Sequence, residues 1–511
     1  MNLADWIDRH ALFTPDKPAL RDAAGELDYR ALAATVARLA GVLRGPLGVG
    51  PGDRVASIGY NCSETLALLF ACARVGAIFL PLNWRLAPPE HHYILGDCTP
   101  RALFVRPEFV AGVDAARAPL AGLALVGRGE LPDGWRDLDA LEQAATPLTG
   151  AGSSAGYADP LLLCYTSGTT GRPKGALLDQ LALLFSALNS AHMHDLTAAD
   201  RVLTTLPLFH VGGLNIQTVP ALHAGATVTL HAAFDPGATL ETLAAERTTL
   251  TVLVPAQLQA LLAHPRWADA DLSSLRVIST GSTLVARALI DAVHARGVPL
   301  IQVYGATETA PIAAYLRRED AARKAGSGGL PALHCALRVV DEQGDEVPAG
   351  EPGEVLVQGP NVMRGYWNNP QASADALRDG WFHSGDIGHL DADGYLYIDD
   401  RKKDLIISGG ENVYPAEIEG LLAGCPLLAE VAVVGRADAR WGEVPVAVAV
   451  PRDGAELDLA ALQAFCAGRL ARYKHPRDVL VVDALPRNAM GKIQKDAVRR
   501  LVAERAAGQA G

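Results

Sequence analysis

Short apolar runs alternate with helical patterns over roughly the first 400 residues of the chain. The apolar runs predict strands at 54–60, 77–82, 101–105, 161–165, 201–206, 227–230, 251–254, 276–279 and 300–303. A helix is predicted over 63–76, between the first two of these strands. Strands that alternate with helices in this way are typical of an α/β fold of layered sheets and helices.

The pattern changes after residue 380. The residues 391–395 favour a hairpin turn, and the polar run 399–404 follows. Beyond it, the pattern predicts a compact set of strands and helices: strands at 405–408, 430–435, 445–450 and 478–482, and helices at 415–423 and 459–472. We therefore predict a large domain over 1–399, a hinge over 400–404 and a small domain over 405–511. An exposed turn is the alternative interpretation of the charged run.

Composition narrows the function classes. Apolar residues make up 49% of the chain and charged residues 20%, which is typical of a globular protein with a large core. The formal net charge of −12 disfavours general nucleic-acid binding. The seven scattered cysteines and the absence of an apolar signal segment at the N-terminus predict a cytoplasmic protein. The apolar run 65–80 is short and contains Arg74, so no integral membrane segment is predicted. A homo-oligomer is compatible with the sequence, which does not fix the oligomeric state.

The segment 165–175, Tyr-Thr-Ser-Gly-Thr-Thr-Gly-Arg-Pro-Lys-Gly, has the composition of a phosphate-binding loop. Gly168 and Gly171 allow the backbone to turn tightly and approach a ligand. Four hydroxyl groups can donate hydrogen bonds to anionic oxygens, those of Thr166, Ser167, Thr169 and Thr170. Lys174 adds a positive charge. The Walker A sequence is absent, and an exposed Gly/Ser/Thr turn is the alternative.

Further motifs follow this loop along the chain: 207–210, 304–308, 384–386, 400–404, 409–412 and 486–492. In this order they resemble the adenylate-forming superfamily, and most closely its acyl-CoA synthetases of the fatty-acid, 4-coumarate and 4-chlorobenzoate CoA ligase type. The resemblance covers essentially the whole chain. It implies a large N-terminal adenylate-forming domain, a small and mobile α+β C-terminal domain, and ATP, Mg²⁺ and coenzyme A as cofactors.

The resemblance also implies a reaction in two steps. ATP activates a carboxylate as acyl-AMP with loss of pyrophosphate, and the thiol of CoA then attacks to give the thioester and AMP. Adenylation needs positioning and charge neutralisation around the α-phosphate more than it needs a base.

The motifs indicate which residues contact the nucleotide and its metal ion. Glu308 follows a predicted strand and suits a Mg²⁺ ligand, with Thr307 on phosphate and Thr166 as a further metal contact. A helix-capping Thr followed by an acid is the alternative. Tyr304 offers a ring to stack on adenine, unless it is a buried core residue. Gly281, Ser282 and Gly305 line the same pocket by resemblance. Asp386, assisted by Arg401, is assigned to the ribose hydroxyls, with a turn aspartate as the alternative.

The C-terminal motifs carry the remaining roles. Lys492 matches the family lysine that bridges carboxylate and α-phosphate, although Asn488 stands where many relatives have Thr. Lys403 corresponds to the hinge residue. Gly409 and Gly410 are expected to line the pantetheine tunnel, and the resemblance makes His210 its gate. A satisfied structural histidine is the alternative for His210. Trp441 and Tyr473 are expected beside CoA adenine, near four cations: Arg469, Arg472, Lys474 and Arg477.

The resemblance places the acid around 209–217, 279–283 and 305–311. These segments contain no Arg or Lys, so a second carboxylate on the substrate is disfavoured. They also contain no Asp after Phe209, which counts against an amino-acid-activating enzyme. An uncharged fatty or aromatic acid is therefore predicted, and the sequence does not separate the two. An acyl loader of carrier proteins and an inactive binding module are the alternative functions.

Overall fold

The structure, a computed structural model, describes residues 1–115, 122–153, 155–166, 173–281, 285–408, 411–438, 441–467, 469–470, 472–488 and 491–509. The chain divides into two compact units. Unit 1 comprises Met1–Leu337 and Val357–His383, and unit 2 comprises Arg338–Leu356 and Ser384–Gly511. Among the described residues, no helix combines the length and apolar character that crossing a membrane requires.

The α-helices of the described residues are α1 Ala4–Phe13, α2 Tyr29–Arg44, α3 Ser63–Val75, α4 Pro88–Cys98, α5 Val110–Ala115, α6 Leu138–Ala144, α7 Gln180–His194, α8 Val211–Gly213, α9 Val219–Ala224, α10 Pro236–Ala245, α11 Pro255–Ala263, α12 Arg287–His294, α13 Pro370–Ala376, α14 Pro415–Leu422, α15 Leu459–Cys466 and α16 Lys495–Gln509. Several begin at an Asp or Asn whose side chain accepts a hydrogen bond from the first helical turn, which satisfies a backbone donor there. These caps are Asp28, Asp137, Asp179, Asp235, Asn369 and Asp458.

The strands are β1 Pro18–Asp22, β2 Gly25–Asp28, β3 Arg54–Ile58, β4 Ile78–Leu82, β5 Ala102–Val105, β6 Ala124–Gly127, β7 Arg136–Asp137, β8 Pro160–Thr166, β9 Lys174–Asp179, β10 Arg201–Thr204, β11 Thr227–Leu230, β12 Leu250–Val252, β13 Val277–Gly281, β14 Leu300–Tyr304, β15 Ala314–Tyr315, β16 Leu330–Pro331, β17 Ala336–Val340, β18 Gly353–Gln358, β19 Gly365–Tyr366, β20 Leu377–Arg378, β21 Trp381–Leu390, β22 Leu396–Arg401, β23 Ile406–Ser408, β24 Glu411–Val413, β25 Leu428–Asp438, β26 Gly442–Pro451 and β27 Asp478–Val481.

Unit 1 is built on two large sheets. One has the strand order β16-β15-β14-β13-β12-β10-β11-β1-β2, and the other has the order β19-β9-β8-β4-β3-β5-β6-β7. The central strands are parallel and almost entirely buried, which is why they read as continuous apolar runs in the sequence. Separate apolar cores pack against each sheet, one around Leu203 and Ile278 and one around Ala56 and Leu103.

Unit 2 contains most residues of two smaller sheets. In one of them, β22 pairs antiparallel with the second half of β21, across the turn Asp391–Tyr395. The other has the order β24-β23-β26-β25, with β27 parallel to β26. Helices α14 and α15 cover one face of this sheet, and α16 packs on the other through Val498 and Val502. The predicted α/β fold class, with a large N-terminal and a small C-terminal part, is confirmed.

Every strand and helix predicted above has an observed counterpart, with bounds that differ by a few residues. The helix predicted over 459–472 is the largest difference, because α15 ends at Cys466. The next residue, Ala467, adopts a ψ of 129°, which takes the chain out of the helix. Residues 384–399 pack with unit 2, although the predicted domain boundary lies at 399–404. The hinge position at 400–404 stays a prediction.

Candidate active site

In unit 1, the predicted adenine contacts meet at the carboxyl ends of two parallel strands. Gly281 ends β13 and pairs with Val303 of β14, which Tyr304 ends and Gly305 follows. A Cβ on Gly281 would lie 2.6 Å from the Val303 carbonyl oxygen, and one on Gly305 would lie 1.8 Å from that of Pro311. Only glycine fits such approaches, and ligands of open parallel sheets bind at this edge. Ser282 lies outside the described residues.

Glu308 is buried, and hydrogen bonds hold both its carboxylate and its backbone carbonyl group. It lies in the 3₁₀ turn Thr307–Thr309, and 9% of the residue is exposed. Tyr366 Oη donates a hydrogen bond to Glu308 Oε1 (2.7 Å), and the Met363 N–H donates to the Glu308 carbonyl oxygen (2.7 Å). Thr307 is not a capping residue, because Ala306 occupies the N-cap and its N–H bonds to Thr309 Oγ1 (2.9 Å). The helix-cap alternative for Thr307 is therefore wrong.

A single buried carboxylate fits a metal ion that arrives with its nucleotide. Mg²⁺ keeps several waters and takes one or two carboxylates together with phosphate oxygens. Among the described residues, no group of three or more His, Cys, Asp or Glu forms a metal cage. The donor set around Glu308 therefore suits Mg²⁺ bound to phosphates, and Glu308 would hold it.

The predicted phosphate loop connects two antiparallel strands of the second sheet. β8 ends at Thr166 and β9 begins at Lys174, and these two residues pair. Thr166 Oγ1 donates to the Lys174 carbonyl oxygen (3.4 Å). The Lys174 ammonium lies 5.2 Å from the centroid of the Tyr366 ring. The loop residues Ser167, Gly168, Thr169, Thr170 and Gly171 lie outside the described residues.

His210 precedes α8 and caps it. Its ring Nδ1 accepts a hydrogen bond from the Gly212 N–H (3.0 Å). This is the structural role that the sequence left open as an alternative. The gate role of His210 stays a prediction.

A buried polar cluster, which the sequence analysis missed, lies where the predicted acid-binding segments 209–217 and 279–283 meet. We call His194, Gln217 and Ser279 the polar cluster. His194 Nε2 lies 2.8 Å from Ser279 Oγ and 3.1 Å from Gln217 Nε2. Its Nδ1 donates to the Ser190 carbonyl oxygen (2.9 Å), which leaves Nε2 as the acceptor. Burial lowers the pKa of His194 to about 4, so its ring is neutral near pH 7.

The polar cluster is incompletely satisfied. Gln217 Oε1 is buried without a hydrogen-bond partner among the described residues, and so are both terminal atoms of the neighbouring Asn215. Both residues lie in the π-helical segment Leu214–Thr218. Such segments are frequent at functional sites. The amide residues within the apolar run 211–222 were the signal available in the sequence.

In unit 2, the predicted ribose contacts form an ion pair. Asp386 and Arg401 are register partners on β21 and β22, and Arg401 Nε lies 2.6 Å from Asp386 Oδ1. Asp386 is 5% exposed. Its backbone N–H donates to Ser384 Oγ (3.0 Å). The ion pair brings the two residues together, and their role at the ribose stays a prediction.

Lys492 is presented by a tight loop. Gly491 adopts a φ of +79°, and its N–H donates to the Asn488 carbonyl oxygen (2.8 Å). Asn488 Oδ1 accepts from the Lys492 N–H (2.9 Å), so the asparagine that departs from the family pattern stabilises the loop. Residue Lys492 is exposed, and partial desolvation together with the Arg401 charge lowers the pKa of its ammonium. Asp386 and Asp404 act in the opposite direction.

The predicted hinge residues divide between two sets of partners within unit 2. Arg401 pairs with Asp386, and Lys402 Nζ lies 3.1 Å from Glu354 Oε2. Lys403 Nζ instead lies 3.4 Å from Asp496 Oδ2, and Asp404 pairs with Arg499, both on α16. Asp400 Oδ1 also lies 3.9 Å from Lys495 Nζ of α16, so this helix contacts both ends of the segment.

The predicted CoA contacts include two exposed aromatic rings of unit 2. Trp441 precedes Gly442, which pairs with Ser408, and 39% of Trp441 is exposed. Tyr473 is 37% exposed and lies in the turn Arg472–Lys474. Lys474 Nζ bonds to both carboxylate oxygens of Glu417 (2.7 Å each). Gly409 and Gly410 lie outside the described residues.

The chain matches two families of known proteins in order. Residues 7–367 match the AMP-binding enzyme family, and residues 417–492 match the AMP-binding enzyme C-terminal domain. The chain is 57% identical to the indoleacetate–CoA ligase of Aromatoleum aromaticum, over 99% of both chains. It is 46% identical to the feruloyl-CoA synthase of an Amycolatopsis species, over 98% of both chains. It is 37% identical to the long-chain-fatty-acid–CoA ligase FadD13 of Mycobacterium tuberculosis, over 93% of this chain and 92% of that one.

Solved structures of related enzymes are similar to this chain over nearly its whole length. The anthranilate CoA ligase AuaEII in complex with anthranoyl-AMP superposes with a TM-score of 0.90 at 29% identity, over 99% of this chain and 98% of that one. The o-succinylbenzoate CoA synthetase MenE of Bacillus subtilis, in complex with ATP and a magnesium ion, gives a TM-score of 0.86 at 32% identity, over 97% and 99%. The predicted reaction class is therefore confirmed: this chain belongs to the AMP-binding enzyme family and is an AMP-forming acid–CoA ligase.

Proposed function

We propose that the acid is an uncharged aromatic acid whose ring system carries a hydrogen-bonding group, as indole-3-acetate does. The observation that carries this proposal is the buried polar cluster with its unpartnered Gln217 Oε1. A buried polar atom without a partner costs about 1–3 kcal/mol, which a ring N–H or hydroxyl of the substrate would offset. In either orientation of the amide, one terminal atom of Gln217 lacks a partner. The high identity to an indoleacetate–CoA ligase supports the same substrate class.

A fatty acid suits this arrangement less well. A hydrocarbon chain has no group to offer the buried amides of Asn215 and Gln217, so their desolvation would go uncompensated. The three acid-binding segments contain no Arg or Lys, which also disfavours a second carboxylate.

The roles of the nucleotide-side residues belong to the same proposal. Glu308 would hold Mg²⁺, a charge that neutralises the phosphates, with Thr166 and Thr307 as further contacts. Tyr304, Gly281 and Gly305 would bind adenine, and Asp386 with Arg401 the ribose. Lys492 would orient the carboxylate oxygen towards the α-phosphorus. That oxygen attacks phosphorus, pyrophosphate leaves, and the CoA thiol later displaces AMP from the acyl carbon.

The proposal also covers the cellular location and the oligomeric state. All seven cysteines are free thiols, as expected for a reducing compartment, so we assign the enzyme to the cytoplasm. A homo-oligomer is compatible with the chain, and light scattering of the purified protein would decide its state.

The test of the substrate class compares kcat/KM for thioester formation across a panel. The panel contains fatty acids from C2 to C18, hydroxycinnamates, benzoates, and the pair indole-3-acetate and benzofuran-3-acetate, which differ in one ring N–H. We expect an aromatic acid to be preferred, and indole-3-acetate to exceed the benzofuran about 3- to 10-fold, the value of one neutral hydrogen bond. Gln217→Met should reduce this ratio towards one. A fatty acid that exceeds every aromatic acid would contradict the proposal.

A further inference from the structure

Tyr366 lies outside every motif that the sequence analysis used, yet it contacts two of the predicted site residues. It forms β19 with Gly365, and this short strand pairs antiparallel with β9. β9 is the strand that leaves the predicted phosphate loop at Lys174. Tyr366 is therefore held beside the exit of that loop.

The backbone around Tyr366 is fixed at several points. The Tyr366 N–H donates to Ser373 Oγ (2.8 Å), and the Trp367 N–H donates to the Gly175 carbonyl oxygen (2.7 Å). Gly365 adopts a φ of +144°, and a Cβ there would lie 3.0 Å from Ser373 Oγ. These contacts hold the backbone from which the Tyr366 side chain extends.

The hydroxyl and the ring of Tyr366 serve different partners. The hydroxyl donates to Glu308 Oε1 (2.7 Å), and the Lys174 ammonium lies 5.2 Å from the ring centroid. A hydrogen bond to a carboxylate is charge-assisted and directional, and a cation within about 6 Å of a ring centroid is attracted to it. One side chain thus connects the carboxylate to the lysine.

We propose that Tyr366 is a positioning residue for adenylation, because its hydroxyl orients the Glu308 carboxylate towards the metal ion of the bound nucleotide. Because this hydrogen bond engages Oε1, Oε2 would remain available to a metal ion. The ring meanwhile attracts the Lys174 ammonium, 5.2 Å from its centroid. This inference rests on the proposed role of Glu308.

The matched variants are Tyr366→Phe, which keeps the ring and removes the hydroxyl, and Tyr29→Phe. Tyr29 is fully buried, and its hydroxyl donates to the Ala226 carbonyl oxygen (2.7 Å), so the control also loses one tyrosine hydrogen bond. Loss of an outer-shell partner typically costs 10- to 100-fold in metal affinity or activity. We expect acid-dependent ATP–pyrophosphate exchange to fall about 10- to 100-fold in Tyr366→Phe and to stay near wild type in Tyr29→Phe.

A binding measurement separates positioning from a merely structural role. Calorimetry of ATP binding, in Mg²⁺ and in EDTA, gives the gain in affinity due to the metal. We expect this gain to shrink in Tyr366→Phe while the affinity for metal-free ATP is unchanged, and thioester formation from supplied acyl-AMP to be retained. An unchanged metal-dependent gain, or an equal loss in both half-reactions, would overturn the inference.

The variant Glu308→Gln separates the proposed role of Glu308 from the proposed role of Tyr366. If Glu308→Gln loses the metal-dependent gain and Tyr366→Phe does not, the inference about Tyr366 fails alone. If Glu308→Gln keeps the gain, the proposed role of Glu308 fails first. Should Tyr366→Phe not fold, 3-fluorotyrosine placed at position 366 gives a second measurement. Its ¹⁹F resonance should shift when Mg²⁺ is added to the ATP complex, and the absence of a shift would count against the inference.

Discussion

At the scale of single residues, Lys492 is the residue of unit 2 that we propose to act in adenylation. Its backbone is held by Asn488 and by the left-handed Gly491, and its ammonium interacts electrostatically with Asp386 and Asp404. A cation placed in advance stabilises negative charge that develops in the transition state, at no cost in reorganisation. The proposed bridging of carboxylate and α-phosphate needs this arrangement.

Replacing Lys492 should separate the two half-reactions. We expect Lys492→Ala to reduce acid-dependent ATP–pyrophosphate exchange about 100-fold or more, because one preorganised donor is lost. Thioester formation from supplied acyl-AMP should remain largely intact. Lys492→Arg, which keeps the charge but changes its geometry, should give an intermediate loss. Equal losses in both half-reactions would exclude the adenylation role of Lys492.

Candidate site residues that stand in sequence motifs could be named from the sequence, whereas residues that contact them from distant segments could not. Glu308, Asp386 and Lys492 stand in recognisable motifs. Tyr366 reaches Glu308 across 58 positions, through the pairing of a two-residue strand. Local sequence patterns do not encode such pairing, since short strands carry no measurable periodicity.

At the scale of elements, α16 forms ion pairs at both ends of the segment 400–404, because its Lys495 Nζ lies 3.9 Å from Asp400 Oδ1. Lys403 and Asp404 pair with α16, whereas Arg401 and Lys402 pair with Asp386 and Glu354. Exposed ion pairs contribute little stability each, about 0–1 kcal/mol. Breaking them would therefore cost little in a rotation at Lys403, whose role as the hinge residue stays a prediction.

Restricting the backbone at Lys403 should therefore affect one step more than the other. Proline fixes φ, so Lys403→Pro should hinder rotation and reduce thioester formation from acyl-AMP about tenfold or more, equivalent to about 1.4 kcal/mol in the barrier. Acyl-AMP formation should be affected less. Lys403→Ala is the matched control, because it removes the contact with Asp496 without fixing φ. A Pro variant that turns over like the Ala variant would place the pivot elsewhere.

At the scale of the whole molecule, the order of strands and helices could be predicted from the sequence. Parallel strands that are buried on both faces appear in it as apolar runs. The contacts between distant segments could not be predicted from the sequence. Residues 338–356 and 384–399 both belong to unit 2, although 357–383 between them belong to unit 1. The polar cluster likewise combines His194, Gln217 and Ser279 from three separate elements. Each of these contacts is set by tertiary packing, which a single sequence does not reveal.

The neutral, buried His194 should make the stability of the protein depend on pH. Its folded pKa of about 4 lies below the usual value of 6.5, so the unfolded chain binds a proton first as the pH falls. The contribution of His194 to the free energy of unfolding should therefore be constant above pH 6.5. It should decrease between pH 6.5 and 4, by about 3 kcal/mol in total. His194→Gln, which cannot titrate, removes this contribution. Urea unfolding at pH 7.5, 6 and 5 should show a shallower pH dependence in the variant, and parallel curves would contradict a neutral His194.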